Sequence, residues 1–352
     1  MRVRIVLFIS ILSMAMVGCA IQTTAPLLPT FTPSLPIETL TPSVSPALTD
    51  TPLPTATPTL PATPDPYASV TIQSLLERTY GGGEISIVST MNQSSNFTRY
   101  EVVYPSDGLK IYGFMDVPKG DGPFPVVIAI HGYISPANYR LLDYTTHYAD
   151  ALARAGFLVI HPALRGYPPS DDGPDPFRVG FAVDVLNLIA IVKAQGGRPG
   201  ALQAADSALI GLWGHSMGGG IVIRTLVISA DVKAAVLYGA MSGDEQQNFE
   251  RIYKVFSNGS NRPPELDASP EDFQRISPIY YLDRITAAVS IHHGAADTTV
   301  PPGWSRDLDQ RLQALGKTVE YFTYPGQPHT FSGSADQLFI QRTIDFYRRY
   351  LK

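Results

Sequence analysis

From residue 98 onward two kinds of apolar pattern alternate along the chain. Residues 98–104 and 109–117 place apolar and polar side chains at alternating positions on either side of Ser106-Asp107-Gly108. That spacing predicts an antiparallel pair joined by a tight turn. Residues 125–130 are instead a continuous apolar run, as expected of a parallel strand buried on both faces. Helical spacing follows over 139–155, closed by Gly156, and then a short strand over 157–160. The alternation continues with a helix over 177–194, a strand over 208–213, a helix over 216–229 and a strand over 234–238. Residues 289–292, 304–315, 318–324 and 335–350 read as strand, helix, strand and helix. Strands alternating with helices predict an α/β fold, with a mostly parallel central sheet covered by helices on both faces. Upstream, 71–77 reads as a short helix and Gly81-Gly82-Gly83 as a loop, and the rest of 67–97 carries no clear period.

One stretch breaks the alternation. Residues 243–285 mix Phe249, Tyr253, Phe256, Phe273, Tyr280 and Tyr281 with polar residues and prolines. They are read as a small helical cap over the active site, or else as a packed surface excursion.

The N-terminal part follows other rules. Arg2 and Arg4 precede an apolar run over 5–17, broken only by Ser10 and Ser13. The run suits a signal-peptide core and is short of the about 20 residues that span a membrane. Small residues then lead to Cys19, as in a bacterial lipoprotein box, although Met16 stands where leucine is usual. Residues 1–19 are thus read as a lipoprotein-type signal, with Cys19 the lipidated residue and an extracytoplasmic, membrane-anchored protein the outcome. An ordinary secretory signal is the alternative. Residues 20–66 are Thr, Pro, Ser and Ala with few charges, a composition that cannot bury enough surface to offset its ordering entropy. They are read as a disordered stalk, extended by its proline steps. Residues 67–352 are then the catalytic domain.

Composition narrows the function by exclusion. The net charge is -5, only 16% of residues are charged, and no basic block occurs, so nucleic acid is not an expected partner. The single cysteine can form neither an internal disulfide nor a thiolate metal cluster.

The chemistry concentrates at Gly214-His215-Ser216-Met217-Gly218. This Gly-x-Ser-x-Gly motif follows an apolar strand and opens an apolar helix. In that setting the turn is tight, the serine backbone is strained, and the hydroxyl is pushed out at the carboxyl end of the strand. Ser216 is the candidate nucleophile. A serine alcohol needs a base, and the base needs an acid to fix its tautomer. In this fold they follow in the order serine, acid, histidine. Of seven histidines, His329 is the candidate base, because it follows the last strand on a turn-rich loop. His131 is read as shaping the loop after 125–130, His161 with Arg165 as packing near the serine, and His215 as holding the turn. His292 and His293 are read as structural, and His147 as lying on a helix. No pair of them has metal-ligand spacing with carboxylates, and no metal or organic cofactor is expected. Asp297, just past the 289–292 strand, is the candidate acid, ahead of Asp272, Asp283 and Asp336. Two backbone donors for an oxyanion are expected, the N–H of Met217 and the N–H of Tyr133 in the loop after 125–130.

Taken together, Val-Val-Ile-Ala-Ile-His-Gly-Tyr (126–133), Gly-Phe-Leu-Val-Ile-His-Pro-Ala-Leu-Arg-Gly-Tyr (156–167) and Gly-His-Ser-Met-Gly-Gly-Gly (214–220) carry a family likeness. Ser277-Pro278 with Tyr281, the Asp297 motif and Pro328-His329 complete it. From about residue 100 to the C terminus the chain resembles the catalytic domain of prolyl-oligopeptidase-like serine hydrolases, within the α/β-hydrolase superfamily. The resemblance implies an α/β-hydrolase fold and an esterase or peptidase working through an acyl-enzyme on a small ester or peptide-like substrate. Family peptidases commonly carry a β-propeller that filters substrates. No blade-like repeat is legible in this sequence, which puts oligopeptide specificity in doubt. A catalytically inactive binding module of the same fold, displayed at the cell surface, is the alternative. Substrate identity and oligomeric state are not legible.

Overall fold

The computed structural model describes residues 64–143 and 145–352. The signal, Cys19 and most of the stalk lie outside the described residues. Nine strands form one sheet: β1 Ser86–Gln93, β2 Phe97–Ser106, β3 Leu109–Pro118, β4 Phe124–Ile130, β5 Leu158–Pro162, β6 Ala205–His215, β7 Val232–Tyr238, β8 Ala288–Gly294 and β9 Val319–Tyr324. Their spatial order is β1-β2-β3-β5-β4-β6-β7-β8-β9. The first three strands and β5 pair antiparallel. From β5 onward every pairing is parallel. The helices are α1 Ile72–Glu77, α2 Thr145–Arg154, α3 Val179–Gln195, α4 Met217–Ile228, α5 Glu245–Arg251, α6 Pro270–Ile276, α7 Pro302–Ala314 and α8 Gly333–Tyr350.

The apolar run in β4 is buried on both faces, as its composition demands. Val126, Ile128 and Ile130 pack with Val185, Leu188, Val222 and Leu226 of α3 and α4. Val127 and Ala129 point the other way, into a layer with Tyr148 and Leu152 of α2 and Phe339 and Phe346 of α8. All five β4 residues are fully buried. At about 2 kcal/mol for each of the larger four, their burial far outweighs any one polar contact and fixes the loop that follows them. The α/β-hydrolase arrangement is therefore present, with helices on both faces of a mostly parallel sheet.

Two local expectations are revised. The helix expected over 139–155 spans only Thr145–Arg154. Tyr139 is extended, because its ring packs 4.8 Å from that of His131 and its hydroxyl lies 3.1 Å from His161 Nε2. Tertiary packing overrides helical propensity there. The helix expected from 177 begins at Val179, with Phe177 and Arg178 held in left-handed conformations (φ 51° and 56°) just before it. Residues 243–285 hold α5, a π-helical turn Ile252–Phe256, two 3-10 segments and α6. Among the described residues no helix is long and apolar enough to cross a membrane.

Candidate active site

Strand β6 runs directly into α4 through the Gly-x-Ser-x-Gly turn. Ser216 sits at φ 55°, ψ -117°, a region costly to a residue with a side chain. Its backbone is held on both sides. The N–H donates to Tyr238 O (2.9 Å), and the carbonyl accepts from Gly219 N (3.0 Å) and Met241 N (3.0 Å). The flanking glycines are required by close approach. A Cβ on Gly214 would lie 2.5 Å from Gly218 O, and one on Gly218 would lie 2.3 Å from Ile130 O and 2.7 Å from His131 O. The turn is thus wedged against the end of β4 and the loop His131-Gly132-Tyr133.

The two residues expected to donate their N–H groups stand on either side of this wedge. Met217 opens α4, so its N–H has no carbonyl within the helix to bond. Tyr133 follows Gly132, where a Cβ would come within 3.1 Å of Ser216 Cβ. The Tyr133 phenol is 69% exposed. His131 shapes this loop through its ring nitrogens, 2.7 Å from Gly132 O and 3.1 Å from Ala163 O. His161 is committed to Ala129 O and Tyr139. Arg165 is committed to the buried Asp184 through its backbone N–H and its guanidinium. Both therefore serve the core beneath the loop.

His329 lies on the loop after β9, its Nδ1 2.7 Å from Asp297 Oδ2. Its ring lies 4.6 Å from the ring of His215, the residue before Ser216. A Cβ on Gly239 would lie 3.2 Å from His329 Nδ1. Gly239 follows Tyr238, whose carbonyl holds the Ser216 N–H. The imidazole is thus pressed against the two stretches that grip the serine, with Nε2 the nitrogen left after Asp297. His215 donates from Nε2 to His329 O (3.1 Å). Burial, and then the neighbouring His329, push its pKa down to about 3. It therefore stays neutral and holds the His329 loop.

Asp297 ends a turn after β8 and is 6% exposed. Its Oδ1 accepts from the N–H groups of Thr299 (2.8 Å) and Val300 (2.9 Å). Its Oδ2 accepts from His329, and His293 Nε2 lies 3.0 Å from it while also reaching Val300 O at 3.1 Å. Burial alone would raise this carboxyl. The hydrogen bonds from His293, His329 and Val300 outweigh it and hold the group well below the usual carboxylate range. Two of the competing carboxylates, Asp272 and Asp336, are engaged elsewhere. Asp272 caps α6 with Ser269. Asp336 meets His147 and Tyr148. The backbone carbonyl of Asp283 takes Lys317.

Two groups at this site were not legible as functional. His293 is fully buried, with Nδ1 2.7 Å from Ser305 Oγ. Arg251, at the end of α5, donates to Thr299 O (2.6 Å) and Thr298 O (2.5 Å). The signal for His293 was its place four residues before Asp297. Nothing local pointed to Arg251, which lies 46 positions upstream of the acid. A cavity of about 330 Å³, whose lining includes Gln246, Glu250, Tyr253 and Phe273, lies within the 243–285 segment. It includes none of Ser216, Asp297 or His329. Among the described residues no group of three or more His, Cys, Asp or Glu side chains is arranged to hold a metal ion.

Comparison with known proteins agrees with this architecture. Residues 200–352 match the prolyl oligopeptidase family. The chain is similar to an uncharacterised peptidase, YtmA, of Bacillus subtilis (strain 168), at 22% identity over 72% of this chain and 95% of the relative. It is also similar to a putative carboxymethylenebutenolidase of Synechocystis sp. (24% identity, 65% of this chain, 85% of the relative). Among solved structures, acetyl xylan esterase 1 from Thermoanaerobacterium sp. superposes with a TM-score of 0.59 at 19% identity, over 78% of this chain and 92% of the esterase. The Pyrococcus horikoshii acylaminoacyl peptidase gives a TM-score of 0.59 at 20% identity, over 73% of this chain but only 42% of the peptidase. The chain has the α/β-hydrolase fold, and these matches support a serine hydrolase.

Proposed function

We propose that the protein cleaves carboxylic ester or peptide-like amide bonds through an acyl-enzyme on Ser216. His329 Nε2 removes the Ser216 proton as Oγ attacks the carbonyl carbon, and the carbonyl π electrons move to oxygen. The N–H groups of Met217 and Tyr133 stabilise the oxyanion, in a site where such donors contribute more than they would in water. On collapse the bond to the leaving group breaks, and His329 returns the proton to it. A water deprotonated by His329 then releases the acid by the same steps in reverse roles. Asp297 fixes the Nδ1–H tautomer and steadies the imidazolium. The observation that carries this reading is the 2.7 Å contact between Asp297 and His329 on an imidazole pressed against the strands that grip Ser216.

The similar proteins described above are named as an acetyl xylan esterase, an acylaminoacyl peptidase and a putative carboxymethylenebutenolidase. Both ester and amide substrates are therefore in range. The 243–285 segment is read as the cap that shapes this choice. Cys19 is read as the lipidated N-terminus of an extracytoplasmic enzyme.

The test is a fluorophosphonate probe together with a panel of acyl esters and aminoacyl anilides, applied to wild type and Ser216→Ala. Expected are labelling at Ser216 and turnover of at least one class. Both are lost in the variant, with kcat lower by on the order of 10⁶-fold. Folded wild-type protein that neither labels nor turns over would leave the inactive binding module in its place.

A further inference from the structure

The acid is gripped from a distance by a residue of the 243–285 segment. Arg251 Nε donates to Thr299 O at 2.6 Å, and its Nη2 donates to Thr298 O at 2.5 Å. The carbonyl of residue 298 and the N–H of residue 299 belong to one peptide group, and the carbonyl of 299 and the N–H of 300 to the next. Those two N–H groups are the ones that donate to Asp297 Oδ1. One planar guanidinium therefore pulls on the oxygen ends of two consecutive peptides whose nitrogen ends hold the carboxylate.

Hydrogen bonds in series polarise one another, and an ionised donor strengthens the chain most. A guanidinium fork suits two acceptors at fixed spacing, which a single ammonium does not match. We propose that Arg251 is a positioning residue. Through these two peptide groups it locks Asp297 in the geometry that orients His329, and so couples the 243–285 segment to the base. The proposal rests on the reading of Asp297 and His329 as acid and base. The other titratable groups facing Asp297 are His293 from β8, His215 at the end of β6 and Tyr238 at the end of β7. None of them touches the carbonyls of 298 and 299 in place of Arg251.

The experiment uses the full chain and a neutral acyl ester. Arg251→Ala is expected to lower kcat roughly 10- to 100-fold with little change in KM, since a loosened acid loop misplaces the base. Millimolar guanidinium chloride, far below denaturing concentrations, restores part of the lost kcat in Arg251→Ala and leaves wild type unchanged. Arg251→Lys keeps the charge but not the fork. Its kcat still falls, and it decides the matter if the alanine variant does not fold. Wild-type kcat in either folded variant, or a fall in kcat that guanidinium does not rescue, overturns the proposal. If Asp297→Asn loses activity while both Arg251 variants keep theirs, only the Arg251 coupling fails. If Asp297→Asn is fully active, the acid assignment itself fails.

Discussion

Asp297 accepts from four donors drawn from three stretches of chain: His293, the Thr299–Val300 backbone and His329. Its depressed pKa means that it carries its charge throughout the pH range in which such an enzyme works. Its contribution to stability is full above the ordinary carboxylate pKa and is lost only as pH falls through its lowered folded value. Asp297→Asn keeps the shape but presents an amide to His329 Nδ1 and favours the wrong tautomer. Turnover should fall by about 10⁴-fold with the fold intact, as measured by steady-state kinetics beside a melting curve. Wild-type rates would redirect the acid role to another carboxylate.

At the scale of elements, α3 starts under constraint. Phe177 and Arg178 are both left-handed, and Asp175 Oδ1 accepts the Phe181 N–H at 3.0 Å in the first turn. Desolvation of the Asp175 carboxyl pushes its pKa up to about 7, against that hydrogen bond and the nearby Arg178 and Arg165. Below about pH 4 the group is protonated folded or unfolded. Between there and pH 7 the folded chain keeps a proton that the unfolded chain has released, so this group's effect on stability worsens as pH rises and levels off above 7. Asp175→Asn keeps the acceptor for Phe181 without the half-buried charge. It should raise the melting temperature at pH 8, by the equivalent of about 2 kcal/mol after allowance for solvent screening, and change it little at pH 4. An equal shift at both pH values would contradict the account.

Element-scale patterns also explain what could be read in advance. The strands buried on both faces and the strand-to-helix turn were legible, because a parallel sheet leaves continuous apolar runs and close backbone approach demands glycine. Strand β1 was not legible. All eight of its residues are exposed, and its pairing with β2 shifts register twice, so no face imposes a period on it. The donors behind the acid were hidden for a different reason. The grip of Arg251 depends on where a helix ends in space, which local spacing does not encode. His293 looked like any strand-end histidine until Ser305 and Asp297 were brought to its two nitrogens.

At the scale of the whole molecule, Ser216, Asp297, His329 and the loop that bears Tyr133 all lie within one compact unit spanning Thr63–Lys352. The proposed anchor at Cys19 lies outside it. If the anchor only tethers, Cys19→Ser should move the protein from the membrane pellet to the soluble fraction, and kcat on a soluble ester should stay within twofold of wild type. Retention in the pellet would remove the lipoprotein reading, and a large loss of kcat would mean that the N-terminal part contributes to the site.

The crowding of donors around Asp297 also bears on descent. An isolated carboxylate could be supplied from any nearby loop. This one is embedded in a bespoke socket that involves a buried histidine, two consecutive peptides and an arginine from a separate helical segment. Relocating it would require all of them to be rebuilt together. Of the trio, the acid is thus the member whose position depends on the most separate stretches of chain.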